Sequence, residues 1–303
     1  MLLFCCQILE IIQKERCLYA ENNYFYRKSE AVDITRYKET FLSYLQKEVL
    51  IKTPKNLYLP IEYIMNLGGK RIRPVLALMS CDLFGTDYNQ AMEAALCVEM
   101  FHNFTLIHDD IMDKADLRRG KETVHKKWDL NAGILSGDAL MILSYQRLES
   151  YDGNVYKELM SLFNQVAIEV CEGQQLDIDF ESQTLVDLDT YFRMISYKTA
   201  VLVGCSLRMG AIVASATSED QEEIYNFGRN LGIAFQLQDD YLDTFGTSDF
   251  GKKIGGDILE HKKTYLYIKT LELADHKDRK ALLEFYGSDD SSDTKVEAVK
   301  ELF

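Results

Sequence analysis

The sequence predicts an all-α fold, and three observations carry that expectation. The only prolines are Pro54, Pro60 and Pro74, so residues 75–303 contain none. Turn-rich β folds rarely go that long without proline, which presets the backbone of many turns. Apolar residues recur at helical rather than alternating spacing, and no repeat of fixed period is visible. The implied architecture is one domain, residues 33–303, of long and mostly antiparallel helices around a core. Residues 1–32 read as an N-terminal extension.

In the first helical segment Phe41, Leu42, Leu45, Val49 and Leu50 share a face, with Asp33 or Thr35 placed to cap its start. A loop holding Pro54 and Pro60 is expected next, then a helix with Ile61, Ile64, Met65 and Leu67 that stops at Gly68-Gly69. Beyond Pro74 apolar-periodic stretches run at about 74–84, 88–113, 121–150, 154–181, 188–214, 219–245 and 261–286. The acidic stretch from Gly287 to Asp293 reads as a loop before a last helix.

With 47% hydrophobic and 27% charged residues the composition is that of a globular protein. The 48 acidic residues against 34 Lys and Arg give a charge of −14. This argues against nucleic-acid binding, which draws its affinity from clustered cations. Seven cysteines, Cys5, Cys6, Cys17, Cys81, Cys97, Cys171 and Cys205, form no CxxC pair or zinc-like spacing. They read as buried small apolar residues or free thiols in a reducing cytoplasm. The N-terminal run MLLFCCQILEII is broken by Gln7 and Glu10 and is too short to span a bilayer of about 30 Å. No transmembrane segment is expected.

Two helical stretches carry the same pattern, Asp109-Asp110-Ile111-Met112-Asp113 and Asp239-Asp240-Tyr241-Leu242-Asp243. On a helix the first and fifth members lie about 40° apart, so each motif gathers carboxylates on one face. Their mutual repulsion, beside apolar neighbours that limit screening, calls for a cation. Oxygen ligands without His or Cys favour Mg²⁺, which takes its remaining ligands from water and substrate phosphate. A solvated helix end would explain one such motif more readily than two. His108-Asp109 also spells the HD pair of metal phosphohydrolases, a reading that needs further histidine ligands from a total of five.

Cations flank both motifs. Gly68-Gly69-Lys70-Arg71-Ile72-Arg73-Pro74 packs three into four residues, Arg118-Arg119-Gly120 follows the first motif, and Lys198-Thr199 interrupts an apolar stretch. Lys252-Lys253 and Lys262-Lys263 follow the second motif. Guanidinium and ammonium groups so placed are suited to phosphate oxygens.

In these motifs, in this order, the chain from about Asp33 onward resembles the trans (E-type) isoprenyl diphosphate synthases, the farnesyl and geranylgeranyl diphosphate synthase group. The segments are GGKRIRP, LIHDDIMDKADLRRG, GDAL, the Lys-Thr pair, FQLQDDYLD, GKKIGGDI and HKKT. The resemblance implies a helical bundle around a central cavity and a Mg²⁺-dependent prenyltransferase. Such an enzyme condenses isopentenyl diphosphate with an allylic diphosphate to give a trans product five carbons longer. Asp109, Asp113, Asp239 and Asp243 would hold Mg²⁺, three ions per site with substrate bound, and Asp110 and Asp240 would assist catalysis. Arg118, Lys198, Thr199, Gln236, Lys252 and Lys262 would bind the allylic diphosphate, and Lys70, Arg73, His102 and Arg119 isopentenyl diphosphate. Phe101, Phe104 and Thr105, one to two turns before Asp109, would floor the pocket for the growing tail. They favour a short product, geranylgeranyl ahead of farnesyl diphosphate. The resemblance also implies a homodimer, and further helices beyond the equivalent of Phe303. The alternatives are a non-catalytic prenyl-diphosphate-binding subunit, against which both intact motifs speak, and a terpene cyclase of the same fold.

Overall fold

The computed structural model describes residues 33–48, 51–246, 254–288 and 292–303, so the N-terminal extension and Lys252 lie outside the described residues. The fold is all-α. The described residues form two compact units, those of 33–162 with 206–224 and those of 163–205 with 225–303.

The first unit opens with α1 (Ile34–Glu48), where Asp33 Oδ1 accepts from the Thr35 amide at 3.0 Å and caps the helix as expected. α2 (Lys55–Asn66) starts earlier than the sequence indicated and contains Pro60 rather than following it. Pro60 forfeits only one backbone bond near the helix start, and it joins Ile61, Ile64 and Met65 on the buried face, whose packing outweighs that loss. α3 (Ile72–Leu83) is buried without a break from Pro74 to Cys81, as befits a central helix. A 3₁₀ turn (Tyr88–Ala91) leads into α4 (Met92–Met112), which bears the first aspartate motif at its C-terminal end.

Between Leu117–Arg118 (β1) and Lys121–Glu122 (β2) the chain makes a two-residue hairpin. Its corner residues, Arg119 and Gly120, have φ of 53° and 73°, the left-handed pair that a tight hairpin requires. After the short α5 (Val124–Lys127), α6 (Leu130–Leu148) packs extensively along α4. Gly133 and Gly137 make that approach possible, since a Cβ on Gly137 would stand 2.3 Å from His108 Nε2.

α7 (Gly153–Ser182), α9 (Val201–Val213) and α10 (Ser218–Phe245) each contribute residues to both units. The second unit also holds α8 (Leu188–Ile195), a π-helical segment (Ser196–Ala200), α11 (Gly256–Leu259), α12 (Tyr265–Leu273), α13 (His276–Tyr286) and α14 (Asp293–Leu302). The stretch read as one helix from about 261 to 286 is two, because the Asp275 carboxylate accepts from the Asp278 amide and starts a new helix. Tyr191, Ile258, Tyr267, Leu282, Val296 and Val299 belong to this unit's core. No helix among the described residues is long and apolar enough to cross a membrane.

Candidate active site

In the first unit the basic turn and the hairpin come together. Arg71, in the left-handed conformation, buries its guanidinium against the Glu99 carboxylate and the Met65 carbonyl. Both side chains of that ion pair are 2% exposed, so Arg71 anchors the turn and does not reach solvent. Arg119 donates to the Gly68 carbonyl and lies so close over Gly69 that a Cβ there would be 2.9 Å from its guanidinium carbon. Arg73 Nη1 stands 3.4 Å from His102 Nε2, and Arg73 Nε is buried with no partner among the described residues. His102 is held well below the usual imidazole range by burial first and then by Arg73, Arg119, Arg118 and Arg71, so it stays neutral. Glu99 neutralises Arg71 and Asp110 neutralises Arg118, which leaves Arg73 and Arg119 of these four cations. The arrangement is suited to a polyanion. Lys70 is exposed beside it.

The second aspartate of each motif is held by protein groups. Asp110 is 2% exposed and accepts from Arg118 Nε at 2.8–2.9 Å and Nη2 at 2.8 Å, while Asp109 is half-buried and Asp113 exposed. Upstream on α4 the Phe101 and Phe104 rings pack 5.3 Å apart, and Phe104 meets the His108 ring edge-on at 4.9 Å. The Thr105 hydroxyl is turned back to the His102 carbonyl at 2.8 Å.

The second unit contains an open cavity of about 170 Å³ lined by Asp177, Lys198, Thr199, Gln236, Asp239, Asp240, Asp257 and Lys262. Lys198 and Thr199 sit on the π-helical segment, a widened turn of a kind frequent at functional sites. It fits only because residue 173 is glycine: a Cβ there would lie 2.2 Å from the Lys198 amide nitrogen. One turn further along α7, Asp177 pairs with the Lys198 ammonium. The Thr199 hydroxyl donates to Gln236 Oε1 at 3.2 Å, Gln236 Nε2 to Asp240 Oδ1 at 2.9 Å, and the Tyr191 hydroxyl to Asp240 Oδ2 at 2.6 Å. Asp240, 4% exposed, is therefore fixed at both oxygens.

Asp243 accepts the Asp257 amide at 2.9 Å, and Lys262 stands 2.9 Å from Glu260 and 3.8 Å from Asp257. Burial, then the charge of Asp243, pushes the Asp257 carboxyl up to about 7; burial likewise raises Asp240. Negative charge is crowded here to the point of resisting ionisation, which a divalent cation would relieve. Among the described residues no three His, Cys, Asp or Glu side chains gather tightly enough to hold an ion unaided. The donor set of carboxylate oxygens still fits Mg²⁺, which keeps waters and shares substrate phosphates. Sequence reasoning did not single out Asp177, Tyr191 or Asp257. An acid in the middle of α7 and an acid directly after Gly255-Gly256 were the available signals.

A family model described as polyprenyl synthetase matches residues 54–303. The chain is 37% identical over 264 residues to the short chain isoprenyl diphosphate synthase of Methanothermobacter thermautotrophicus, covering 86% of this chain and 81% of that one. To the geranylgeranyl diphosphate synthase of Saccharolobus solfataricus it is 40% identical over 245 residues, 79% of this chain and 74% of the other. A crystal structure of geranylgeranyl pyrophosphate synthase superposes with a TM-score of 0.86 at 51% identity, covering 89% of this chain and 84% of that one.

Proposed function

We propose a reaction from one premise: the chain belongs to the polyprenyl synthetase family. It is a transferase, a chain-elongating prenyltransferase that makes short-chain prenyl diphosphates from isopentenyl diphosphate and an allylic diphosphate. The finer assignment is geranylgeranyl diphosphate as the product, favoured by relatives of that name and by the paired rings of Phe101 and Phe104.

The observation that carries the mechanism is the division of labour between a cation-rich turn and a carboxylate-rich cavity. Arg73, Arg119, His102 and Lys70 would hold isopentenyl diphosphate, with the buried, unpartnered Arg73 Nε as one donor to it. Lys198, Thr199, Gln236, Lys262 and Arg118 would hold the allylic diphosphate, and Lys252 would join them. Asp109, Asp113, Asp239 and Asp243 would hold Mg²⁺, which when bound neutralises charge on the leaving diphosphate. Asp110 and Asp240 set the orientation of their neighbours through the bonds they already accept. The ammonium groups of Lys198 and Lys262 share the charge that builds as the allylic C–O bond breaks. The isopentenyl double bond attacks the resulting carbon, and the proton it releases passes to the departing diphosphate.

A homodimer is supported by exposed Leu135 and Ile142, which share one face of α6 beside exposed Leu130 and Ile134. A cytoplasmic setting is supported by Cys81, Cys97, Cys171 and Cys205, which form no disulfide among the described residues.

Steady-state kinetics test the division of labour. Arg73→Ala should raise KM for isopentenyl diphosphate about ten- to hundredfold, the loss of one charged hydrogen bond, and leave KM for the allylic substrate little changed. Lys262→Ala should do the reverse. Equal effects of either variant on both substrates would contradict the assignment.

A further inference from the structure

Lys295, on α14, is 1% exposed, among the largest wholly buried side chains of the protein. Lysine is almost never so deep unless its charge is engaged, and a methionine or leucine would fill the same volume without desolvating an ammonium. Two of its partners are the Ser288 carbonyl at 3.1 Å and His261 Nε2 at 2.7 Å. An ammonium only donates, so the geometry requires His261 to present a bare Nε2 and carry its proton on Nδ1.

His261 opens the turn that leads into the cavity. Its φ of 57° lies in the left-handed region that residues other than glycine rarely adopt, and Lys262, Lys263 and Thr264 come directly after. Lys262 and Thr264 line the cavity. Lys263 Nζ donates back to the His261 carbonyl at 2.8 Å and lies over the Tyr267 and Tyr286 rings, so the turn is gripped from two sides. Helix α14 makes a second close contact: a Cβ on Gly255 would fall 2.4 Å from Val296 Cγ1. Gly255 in turn donates to the Asp243 carbonyl at 2.7 Å. Neighbouring residues of α14 thus bear on the last aspartate of the second motif and on the lysine turn.

We propose that Lys295 is a positioning residue for the diphosphate cavity: through its hydrogen bond to His261 it holds the left-handed turn that aims Lys262 and Thr264 into the site. The inference rests on the proposed function, in that the cavity is taken to bind a diphosphate. Lys295 does not touch substrate. Its side chain acts through His261, and α14 thereby becomes part of the binding apparatus and not only of the core.

The test measures Mg²⁺-dependent binding of inorganic diphosphate by calorimetry, together with KM for each substrate, in wild type and in Lys295→Met, His261→Leu and His261→Gln. Lys295→Met and His261→Leu should weaken diphosphate binding and raise KM for the allylic substrate about tenfold, with KM for isopentenyl diphosphate within about twofold of wild type. His261→Gln, which restores an acceptor near the Nε2 position, should recover most of the loss. Wild-type binding in Lys295→Met, or losses that only track the folded fraction by circular dichroism, would overturn the proposal. So would His261→Gln being as impaired as His261→Leu, a comparison that decides the matter even if Lys295→Met does not fold. A wild type that binds diphosphate without elongating would instead count against the proposed reaction and leave the binding comparison to judge the latch.

Discussion

Arg71 and Arg73 are two residues apart in one basic turn, yet the structure gives them opposite work. Arg71 is locked to Glu99 and the Met65 carbonyl, while Arg73 lies beside His102 with a nitrogen unpartnered among the described residues. Burial, and then the surrounding guanidiniums, also make His102 a stability determinant whose sign follows from linkage. Its folded-state pKa lies below the unfolded value near 6.5, so the contribution is fully present above 6.5 and is lost as pH falls through the lower folded value. Chemical denaturation of ligand-free protein should show the wild type losing stability on acidification below about 6.5, and His102→Asn losing less of it. Identical pH profiles would contradict a buried neutral imidazole. The sequence made the cation density of the turn legible, but not which cation would be buried, since Glu99 and Met65 decide that from other helices. The aspartate pattern was legible in the same partial way. Its spacing marks a carboxylate cluster, whereas the tethering of Asp110 and Asp240 depends on Arg118, Gln236 and Tyr191.

Helices α4 and α6, and the π-helical segment, show what one-dimensional periodicity can and cannot convey. Long apolar periods located α4, α7 and α10 closely, because long amphipathic patterns are the strongest local signal. Pro60 inside α2, the break before Asp275 and the widened turn at Lys198 were not legible. Each is settled by a local cap or by packing: a buried face, an aspartate bonded to an amide, and the close approach to Gly173. At this scale α4 also makes a prediction about product length. Phe104 and Phe101 lie one and two turns before Asp109 and pack on each other. Replacing both with alanine should shift the products, separated by chromatography, to longer chains than wild type makes. It should also destabilise the protein by several kcal/mol, as expected for deleting two buried rings (about 3–5 each). Unchanged chain length in the folded fraction would place the floor elsewhere.

At the scale of the whole molecule, a charge of −14 sits awkwardly with two polyanionic substrates. On the proposed function, the acids of each motif, with half-buried Asp257 beside Asp243, would resolve the conflict by binding divalent cations that bring phosphate with them. Leu135→Glu with Ile142→Glu should convert the proposed dimer to a monomer in sedimentation velocity, since covering exposed leucine and isoleucine on one helix face is the apolar contribution that the charges would remove. A wild type that sediments as a monomer would refute the dimer. Purified protein is incubated with isopentenyl diphosphate and dimethylallyl, geranyl or farnesyl diphosphate, with and without Mg²⁺, and the products are separated. The account predicts Mg²⁺-dependent elongation ending at geranylgeranyl diphosphate; a cyclic hydrocarbon, phosphate release without elongation, or no product at all would contradict it.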